Sequence, residues 1–151
     1  NIGLITAVTG AEALQSIGLT GVPLIVCFMI VSSVINLFIG SASAKWAIMA
    51  PVFVPMLMVM GYSPELVQAA YRIGDSVSNI ITPLLPYFPI IIAFAAKYDP
   101  KVGIGTLIST MLPYSLGFAI AWTALLIFWM TFGIPLGPDA PMFYQPATTG
   151  P

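Results

Sequence analysis

Charged side chains are the scarcest class in this sequence. Four Lys and Arg together with five Asp and Glu make up 6% of its 151 residues. A soluble domain carries charge on about 25% of its residues, so nine charged side chains are too few to cover an aqueous surface. The net charge of −1 gives no support for a nucleic-acid partner. With 59% hydrophobic residues and a mean hydropathy of +1.02, the chain is expected to lie in a lipid bilayer.

Histidine is absent, and cysteine occurs once, as Cys27 in an apolar run. A single cysteine excludes an internal disulfide, and we interpret Cys27 as a small buried apolar residue. Without histidine, a cysteine pair or a carboxylate pair, the sequence predicts no enzyme and no catalytic residues. The remote alternative is an intramembrane hydrolase in which Ser41 or Ser43 forms a serine–lysine dyad with Lys45. We expect no cofactor apart from a bound Na⁺.

The chain begins at Asn1 and enters apolar sequence at once. No basic segment followed by a cleavage site precedes the apolar run, which argues against a signal peptide. We therefore interpret the chain as the C-terminal part of a longer protein, and we expect it to need the missing N-terminal part to fold. At about 20 residues for each crossing, its length supplies roughly four to six spanning or half-spanning helices.

Apolar runs and breaks divide the chain into five parts. Ser63, Pro64 and Glu65 supply an N-cap, a first-turn proline and a first-turn acid. Pro83, Pro86 and Pro89 then argue against one smooth helix. The predicted parts are the end of a preceding helix and a loop (1–20), a helical pair (21–60), a broken transmembrane helix (64–96), a last transmembrane helix (102–132) and a C-terminal tail (133–151).

Two architectures fit the helical pair of residues 21–60. Gly21–Ile39 and Ala47–Met60 either both span the membrane or form a re-entrant hairpin with the small, polar stretch Gly40–Ala44 at its tip. Lys97 and Lys101 flank a short loop, which the positive-inside rule places in the cytoplasm. The last helix then ends outside, and a hairpin would open to the outside as well.

Asp75 is the first candidate for a functional residue, because an ionisable side chain at membrane depth is costly. The structural alternatives are a pair with Arg72 at i,i+3 and an Arg72 side chain that snorkels to the interface. Ser76, Ser78 and Asn79 follow Asp75 just before the proline-rich break. Their oxygens suit a hard cation such as Na⁺, or a substrate. The alternative is hydrogen bonding between helices.

A second polar group surrounds the break near residue 40. Asn36, Ser41 and Ser43 offer oxygens or a helix N-terminus to an ion or an anionic substrate, unless this stretch is a simple turn outside the membrane. Trp46 either stacks on an aromatic substrate or lies in an interfacial belt. Lys45 is interpreted as a snorkelling residue. Two broken helices in one membrane chain are typical of the midplane site of a transporter.

Four stretches carry a resemblance to a known family. They are SVINLFIGSASAKWA at 33–47, GYSPE at 61–65, YRIGDS at 71–76 and NIITPLLPY at 79–87. Together they strongly resemble the C-terminal part of the AbgT family, the p-aminobenzoyl-glutamate transporters, with similarity from about residue 12 to residue 145.

The resemblance implies an all-α membrane fold that is half of an inverted-repeat structure of an ion-transporter superfamily. Residues 21–60 are then the second re-entrant hairpin, and the protein is expected to be a homodimer. The resemblance places Na⁺ at Asn36 and Asp75 and the substrate pathway at Trp46, Pro64 and Arg72. Ser41 and Ser43 are added as substrate-binding candidates and Ser76, Ser78 and Asn79 as ion-binding candidates.

The expected function is secondary active transport of p-aminobenzoyl-glutamate or related aromatic anions, coupled to a Na⁺ or H⁺ gradient. Uptake and efflux of sulfonamide-like drugs both stay open, and the resemblance suggests an elevator-like or rocking motion. Arg72 would pair with a substrate carboxylate, and Trp46 would stack on the aminobenzoyl ring. The expected location is the bacterial inner membrane, crossed several times. The alternatives are a passive channel or pore subunit and a structural membrane subunit.

Overall fold

A computed structural model describes residues 2–144 of the chain. Within that range the chain is all-helical, which confirms the predicted class. The six helices are α1 (Ile2–Ser16), α2 (Val22–Asn36), α3 (Ala42–Val59), α4 (Pro64–Asn79), α5 (Phe88–Ala95) and α6 (Ile104–Phe132).

Local capping explains where α3 and α4 begin. The Ser41 hydroxyl accepts a hydrogen bond from the Ala44 backbone N–H, and the Ser63 hydroxyl accepts one from the Leu66 N–H. Pro64 occupies the first turn of α4, where its missing N–H costs nothing. Helix α3 therefore starts at Ala42 rather than at residue 47, and its first turns contain a lysine and a tryptophan.

Among residues 2–144, two helices are long and apolar enough to cross a membrane. They are α3, with 18 residues, and α6, with 29 residues, and α2 is a shorter apolar helix. Within this chain, only 22% of the 18-residue apolar stretch of α3 is buried, and only 11% of the corresponding stretch of α6. Their apolar surfaces are therefore available to lipid or to other helices.

Helices α2 and α4 run parallel and pack closely. The Ser32 hydroxyl donates to the Tyr71 carbonyl, and the Ser33 hydroxyl donates to the Gly74 carbonyl at 2.8 Å. A Cβ on Gly74 would lie 2.5 Å from the Met29 carbonyl oxygen, so only glycine allows this approach. Elsewhere, α1 packs on α3, and α6 packs on α4.

The breaks that follow α2 and α4 meet each other. A Cβ on Gly40 would lie 2.5 Å from the Leu84 carbonyl oxygen, and the Thr82 hydroxyl donates to the Asn36 carbonyl at 3.5 Å. The two parallel helices therefore end side by side. This contact brings together two polar segments that are about forty residues apart in the sequence.

The chain after α6 returns to the turn between α3 and α4. The Ser63 N–H donates to the Met142 carbonyl at 3.2 Å, and the Tyr144 N–H donates to the Gly61 carbonyl at 2.9 Å. The Met142 side chain is buried in the core. The remainder of the predicted tail, residues 145–151, lies outside the described residues.

Cys27 is exposed within this chain, so its interpretation as a buried residue is wrong. It borders an apolar cavity of about 300 Å³ between α1, α2 and α3. Helix α2 is apolar on nearly every side, so its sequence gives no period from which the buried face could be read.

Candidate functional site

The centre of the site is the ammonium group of Lys45, and the side chain of this residue has no exposed surface. Its Nζ donates to Asp75 Oδ1 at 2.6 Å, to Asn36 Oδ1 at 3.1 Å and to the Ser32 carbonyl oxygen at 3.3 Å. These three oxygens come from α2 and α4, whereas the ammonium comes from the first turns of α3. Three helices therefore converge on one positive charge.

Aromatic rings cover one side of this charge. Lys45 Nζ lies 4.7 Å from the centre of the Tyr71 ring, a cation–π distance. The Tyr71 hydroxyl donates to the Ala42 carbonyl at 2.6 Å, which ties α4 to the start of α3. The half-buried Trp46 ring packs against Tyr71 with ring centres 4.6 Å apart. The predicted aromatic candidate Trp46 thus lies one ring away from the ammonium.

Asn36 is oriented by its own amide donors. Its Nδ2 donates to Asn79 Oδ1 at 2.8 Å, to Ser78 Oγ at 3.0 Å and to the Asp75 carbonyl at 3.2 Å. Because Nδ2 faces α4, the amide oxygen must face Lys45. Asn79 Nδ2 in turn donates to Asp75 Oδ2 at 3.3 Å, which holds the second carboxylate oxygen. This network leaves the oxygen atoms pointing at one cation.

The helix ends add a favourable field at this point. Asn36 is the last residue of α2 and Asn79 is the last residue of α4, so two C-terminal ends lie beside the ammonium. The C-terminus of a helix carries a partial negative charge that stabilises a cation. Broken helices use the same ends and their free carbonyls to bind coupling ions in transporters.

The Lys45–Asp75 pair is a poor explanation of stability alone. Its side chains are 0% and 6% exposed, and burying each charge costs several kcal/mol before their attraction offsets it. Apolar residues of similar volume would often be as stable, whereas removing one partner costs about 3–5 kcal/mol. A pair of this kind at membrane depth indicates a functional role.

The interpretation of Lys45 and one structural alternative for Asp75 are wrong. Lys45 does not snorkel to an interface, because the first turns of α3 point it between α2 and α4. The Arg72–Asp75 pair at i,i+3 is not formed either, since Asp75 bonds Lys45 instead. The Asp75 partner lies thirty residues away along the chain, where spacing within α4 cannot reveal it.

Arg72 lies one turn before Asp75 on α4, is exposed and faces α6. Across residues 2–144 its guanidinium forms no ion pair. It borders two open cavities of about 390 and 400 Å³, and the first of them also reaches Asp75. Their other polar or aromatic lining residues are Ser76, Asn79, Trp122 and Trp129. An unpaired guanidinium beside tryptophans suits an aromatic carboxylate.

The structure brings some predicted ion-binding residues together and separates others. Asn36, Asp75, Ser78 and Asn79 form one hydrogen-bonded cluster. Ser76 points away from it, with its hydroxyl donating to the Ile73 carbonyl, and lines the Arg72 cavity instead.

The predicted substrate residues are spread over the surface of the bundle. Ser41 caps α3, and both Ser41 and Ser43 are exposed near the meeting helix breaks. Pro64 begins α4, eleven residues before Asp75, which is about 16 Å along a helix. Within this chain, Pro64 is therefore remote from the cluster.

Sequence reasoning missed four residues of the site. Ser32 lies one turn before Asn36 on the same face of α2, so its position was a usable signal. Lys45 was interpreted as a snorkelling residue, although a charge next to a polar break was a usable signal. Nothing in the sequence marked Tyr71 or Trp122 as site residues, because aromatic residues are common in apolar helices.

An all-helical, apolar chain with a buried charge cluster where two broken helices meet is typical of a transporter embedded in a membrane. A sequence model described as the "AbgT putative transporter family" matches residues 1–144. The chain therefore belongs to the AbgT family, whose members are integral membrane transporters and not enzymes. This finding confirms the resemblance and the expectation that the chain is not an enzyme.

Individual relatives agree with this assignment. The chain is 40% identical over 138 residues to the p-aminobenzoyl-glutamate transport protein of Escherichia coli K12, covering 91% of this chain and 27% of that protein. It matches the YdaH transporter of Alcanivorax borkumensis with a TM-score of 0.86 and 56% identity, over 91% of this chain and 29% of that one.

A second solved structure is equally similar. MtrF of Neisseria gonorrhoeae, described with a class of antimetabolite efflux pumps, matches with a TM-score of 0.82 and 57% identity, over 93% of this chain and 28% of that one. The chain thus spans under a third of the length of each of these relatives.

Proposed function

We propose that this chain carries the cation site and part of the substrate pathway of a secondary active transporter for p-aminobenzoyl-glutamate or related aromatic anions. The observation that carries the proposal is the convergence of Asp75, Asn36 and the ends of α2 and α4 on one buried positive charge. Such a cluster gives a transported cation oxygen ligands at membrane depth.

The two cavities beside Arg72 suit an anionic substrate. The Arg72 guanidinium has no carboxylate partner within the described chain, and the Trp122 ring lines the same cavity. A glutamate carboxylate would bind Arg72 and an aminobenzoyl ring would stack on Trp122. Because the first cavity also reaches Asp75, occupancy by an anion and by a cation would be electrostatically coupled.

The names of the relatives support transport of such molecules, and one of them indicates efflux. One is a p-aminobenzoyl-glutamate transport protein and another is described with antimetabolite efflux pumps. We therefore propose cation-coupled movement of aromatic anions in the bacterial inner membrane, by a multi-pass homodimer in which residues 21–60 form a re-entrant hairpin. Either Na⁺ or H⁺ serves as the coupling ion.

The serine–lysine hydrolase has no support in this geometry. The hydrogen bonds of Lys45 Nζ go to Asp75, Asn36 and Ser32, while the Ser41 hydroxyl caps α3. A passive channel is the remaining alternative, and it differs from a transporter because its flux neither saturates nor depends on a counter-ion gradient.

The test is uptake of labelled p-aminobenzoyl-glutamate into vesicles that contain the full-length protein, with and without a Na⁺ gradient. A proton gradient is tested in parallel. Asp75→Asn should abolish gradient-driven uptake because the carboxylate that holds the cation is lost. The matched control Glu12→Gln, at an exposed position, should retain it. Unsaturated flux that ignores both gradients would favour the channel.

Arg72→Gln tests the anion site separately. Loss of the guanidinium should raise the half-saturating concentration of p-aminobenzoyl-glutamate about tenfold or more, because a charge-assisted hydrogen-bond pair is removed. Lys97→Gln, in an exposed loop, removes the same charge elsewhere and should leave the half-saturating concentration unchanged. Equal half-saturating concentrations in the two variants would show that Arg72 does not bind the substrate.

A further inference from the structure

The sodium ligands that the family resemblance implies, Asn36 and Asp75, already hold a cation in this structure. Asp75 Oδ1 and Asn36 Oδ1 lie 2.6 and 3.1 Å from Lys45 Nζ, and the Ser32 carbonyl lies 3.3 Å away. An ammonium and a metal ion cannot both occupy a position in contact with the same two oxygens. The residues therefore fit a cation, but the cation they hold is part of the protein.

We propose that Lys45 is a tethered cation of the coupling site, so that a cation from solution binds there only by displacing the Lys45 ammonium. This inference rests on the proposed function, because it concerns the same oxygen cluster. The geometry fits the role: Lys45 comes from α3, whereas its oxygen ligands come from α2 and α4. The oxygen cluster can therefore stay intact when the lysine leaves.

The oxygen cluster has its own supports, which do not include the lysine. Asn36 Nδ2 is held by Ser78 and Asn79, and Asp75 Oδ2 is held by Asn79 Nδ2. The nearest other charge on these helices is that of Arg72, which lines an open cavity beside Asp75 and forms no ion pair with it. The cluster thus keeps one net negative charge and its ligand orientation after the ammonium departs.

Displacement has a consequence for the helices. The ion pair and its two accompanying hydrogen bonds join the start of α3 to α2 and α4, and the Tyr71–Ala42 hydrogen bond is the other polar tie there. When a free cation replaces the ammonium, α3 loses three of these four ties. Ion binding thereby loosens α3 against the pair of α2 and α4, which links the ion site to movement of this part of the chain.

The first experiment measures thermal unfolding of the purified full-length protein at increasing NaCl, with choline chloride at equal ionic strength as the reference. A ligand that binds only the folded state raises Tm with its concentration. Lys45→Met removes the competitor, so the Na⁺ concentration that gives a fixed rise in Tm should fall about tenfold or more relative to the unaltered protein. Lys97→Met, in an exposed loop, should behave as the unaltered protein.

The double variant Lys45→Met with Asp75→Asn removes both charges and should show no specific Na⁺ shift. If Lys45→Met needs the same or a higher Na⁺ concentration for that rise in Tm, the proposal is overturned. If Lys45→Met folds only in NaCl, Na⁺ replaces the ammonium, as proposed. If it folds in neither salt while the double variant folds, Na⁺ cannot take that place, and the proposal is wrong.

The second experiment uses the unaltered protein and so does not depend on folding of a variant. A small amine-reactive reagent modifies lysines at fixed pH, with and without NaCl, and mass spectrometry reports the modification of each. Na⁺ should raise the modification of Lys45 at least twofold and leave that of Lys97 and Lys101 unchanged. No increase at Lys45 would overturn the proposal. These measurements involve no substrate. They can therefore support the role of Lys45 even if the protein does not transport p-aminobenzoyl-glutamate, and they can refute that role even if it does.

Discussion

At the scale of single residues, Asn36 has the most demanding position in the molecule. It is 1% exposed, and its amide joins the Lys45 ammonium on one side to Asn79 and Ser78 on the other. Every buried side-chain nitrogen and oxygen in the described part of the chain has a hydrogen-bond partner. A buried polar group that loses its partner costs about 1–3 kcal/mol, and a charged one costs more.

Asn36→Ala should therefore lower the free energy of unfolding by about 3 kcal/mol, because it removes one ligand of a buried ammonium and the donor to three other oxygen atoms. Denaturant or thermal unfolding of the full-length protein measures this change. Gln15→Ala, which removes an amide from an exposed site, should stay within about 0.5 kcal/mol. A loss at Asn36 no larger than that at Gln15 would show that the network contributes little.

At the scale of the elements, the site depends on how closely α2 and α4 approach. Gly74 allows the contact, since an added Cβ would meet the Met29 carbonyl at 2.5 Å and Ser32 Cβ at 3.1 Å. The same close packing places the last turns of both helices together, with Asn36 beside Asp75. A change in helix separation at Gly74 thus reaches the ion site one residue later.

Gly74→Ala should push α2 from α4, because the clash is with backbone that no rotamer change can relieve. We expect at least a tenfold loss of gradient-driven uptake, together with a lower Tm. Gly117→Ala is the matched control, since Gly117 is also inside a helix and an added Cβ meets nothing within 4 Å in this chain. Alanine favours helix over glycine, so the control should keep or raise Tm. Equal uptake by both variants would refute the need for this close approach.

At the scale of the whole molecule, the chain shows large apolar surfaces and accounts for under a third of its relatives. Charges are concentrated at the Lys97–Lys101 loop, which precedes α6. By the positive-inside rule, the two lysines predict that this loop is cytoplasmic and that α6 ends outside. The segment after α6 contacts the turn between α3 and α4, and the same rule predicts that both lie at the outer surface.

Cysteine labelling in intact cells tests this orientation. Cys27 and every cysteine in the rest of the full-length protein are first replaced by Ser, and Lys101→Cys and Asp139→Cys are then made separately. A membrane-impermeant maleimide should label position 139 in intact cells and position 101 only after the membrane is opened, because both positions are exposed. The reverse pattern would show that the positive-inside rule fails for this loop.

The sequence by itself determined the membrane class, the family and the polar residues at the two breaks. Composition indicates lipid because nine charges cannot cover a soluble surface. Local signals also predicted the start of α4 at Pro64, because capping involves residues only three positions apart. Asp75 and Asn36 stood out because polar side chains are costly at membrane depth.

Only the tertiary structure decided which residues pair. Lys45 and Asp75 are thirty positions apart on different helices, and no period in an apolar helix shows which side faces a neighbour. For the same reason the buried face of α2 and the exposed position of Cys27 could not be read from the sequence. The partner of a buried charge is fixed by helix packing, and in this chain that packing depends on contacts between segments far apart in sequence.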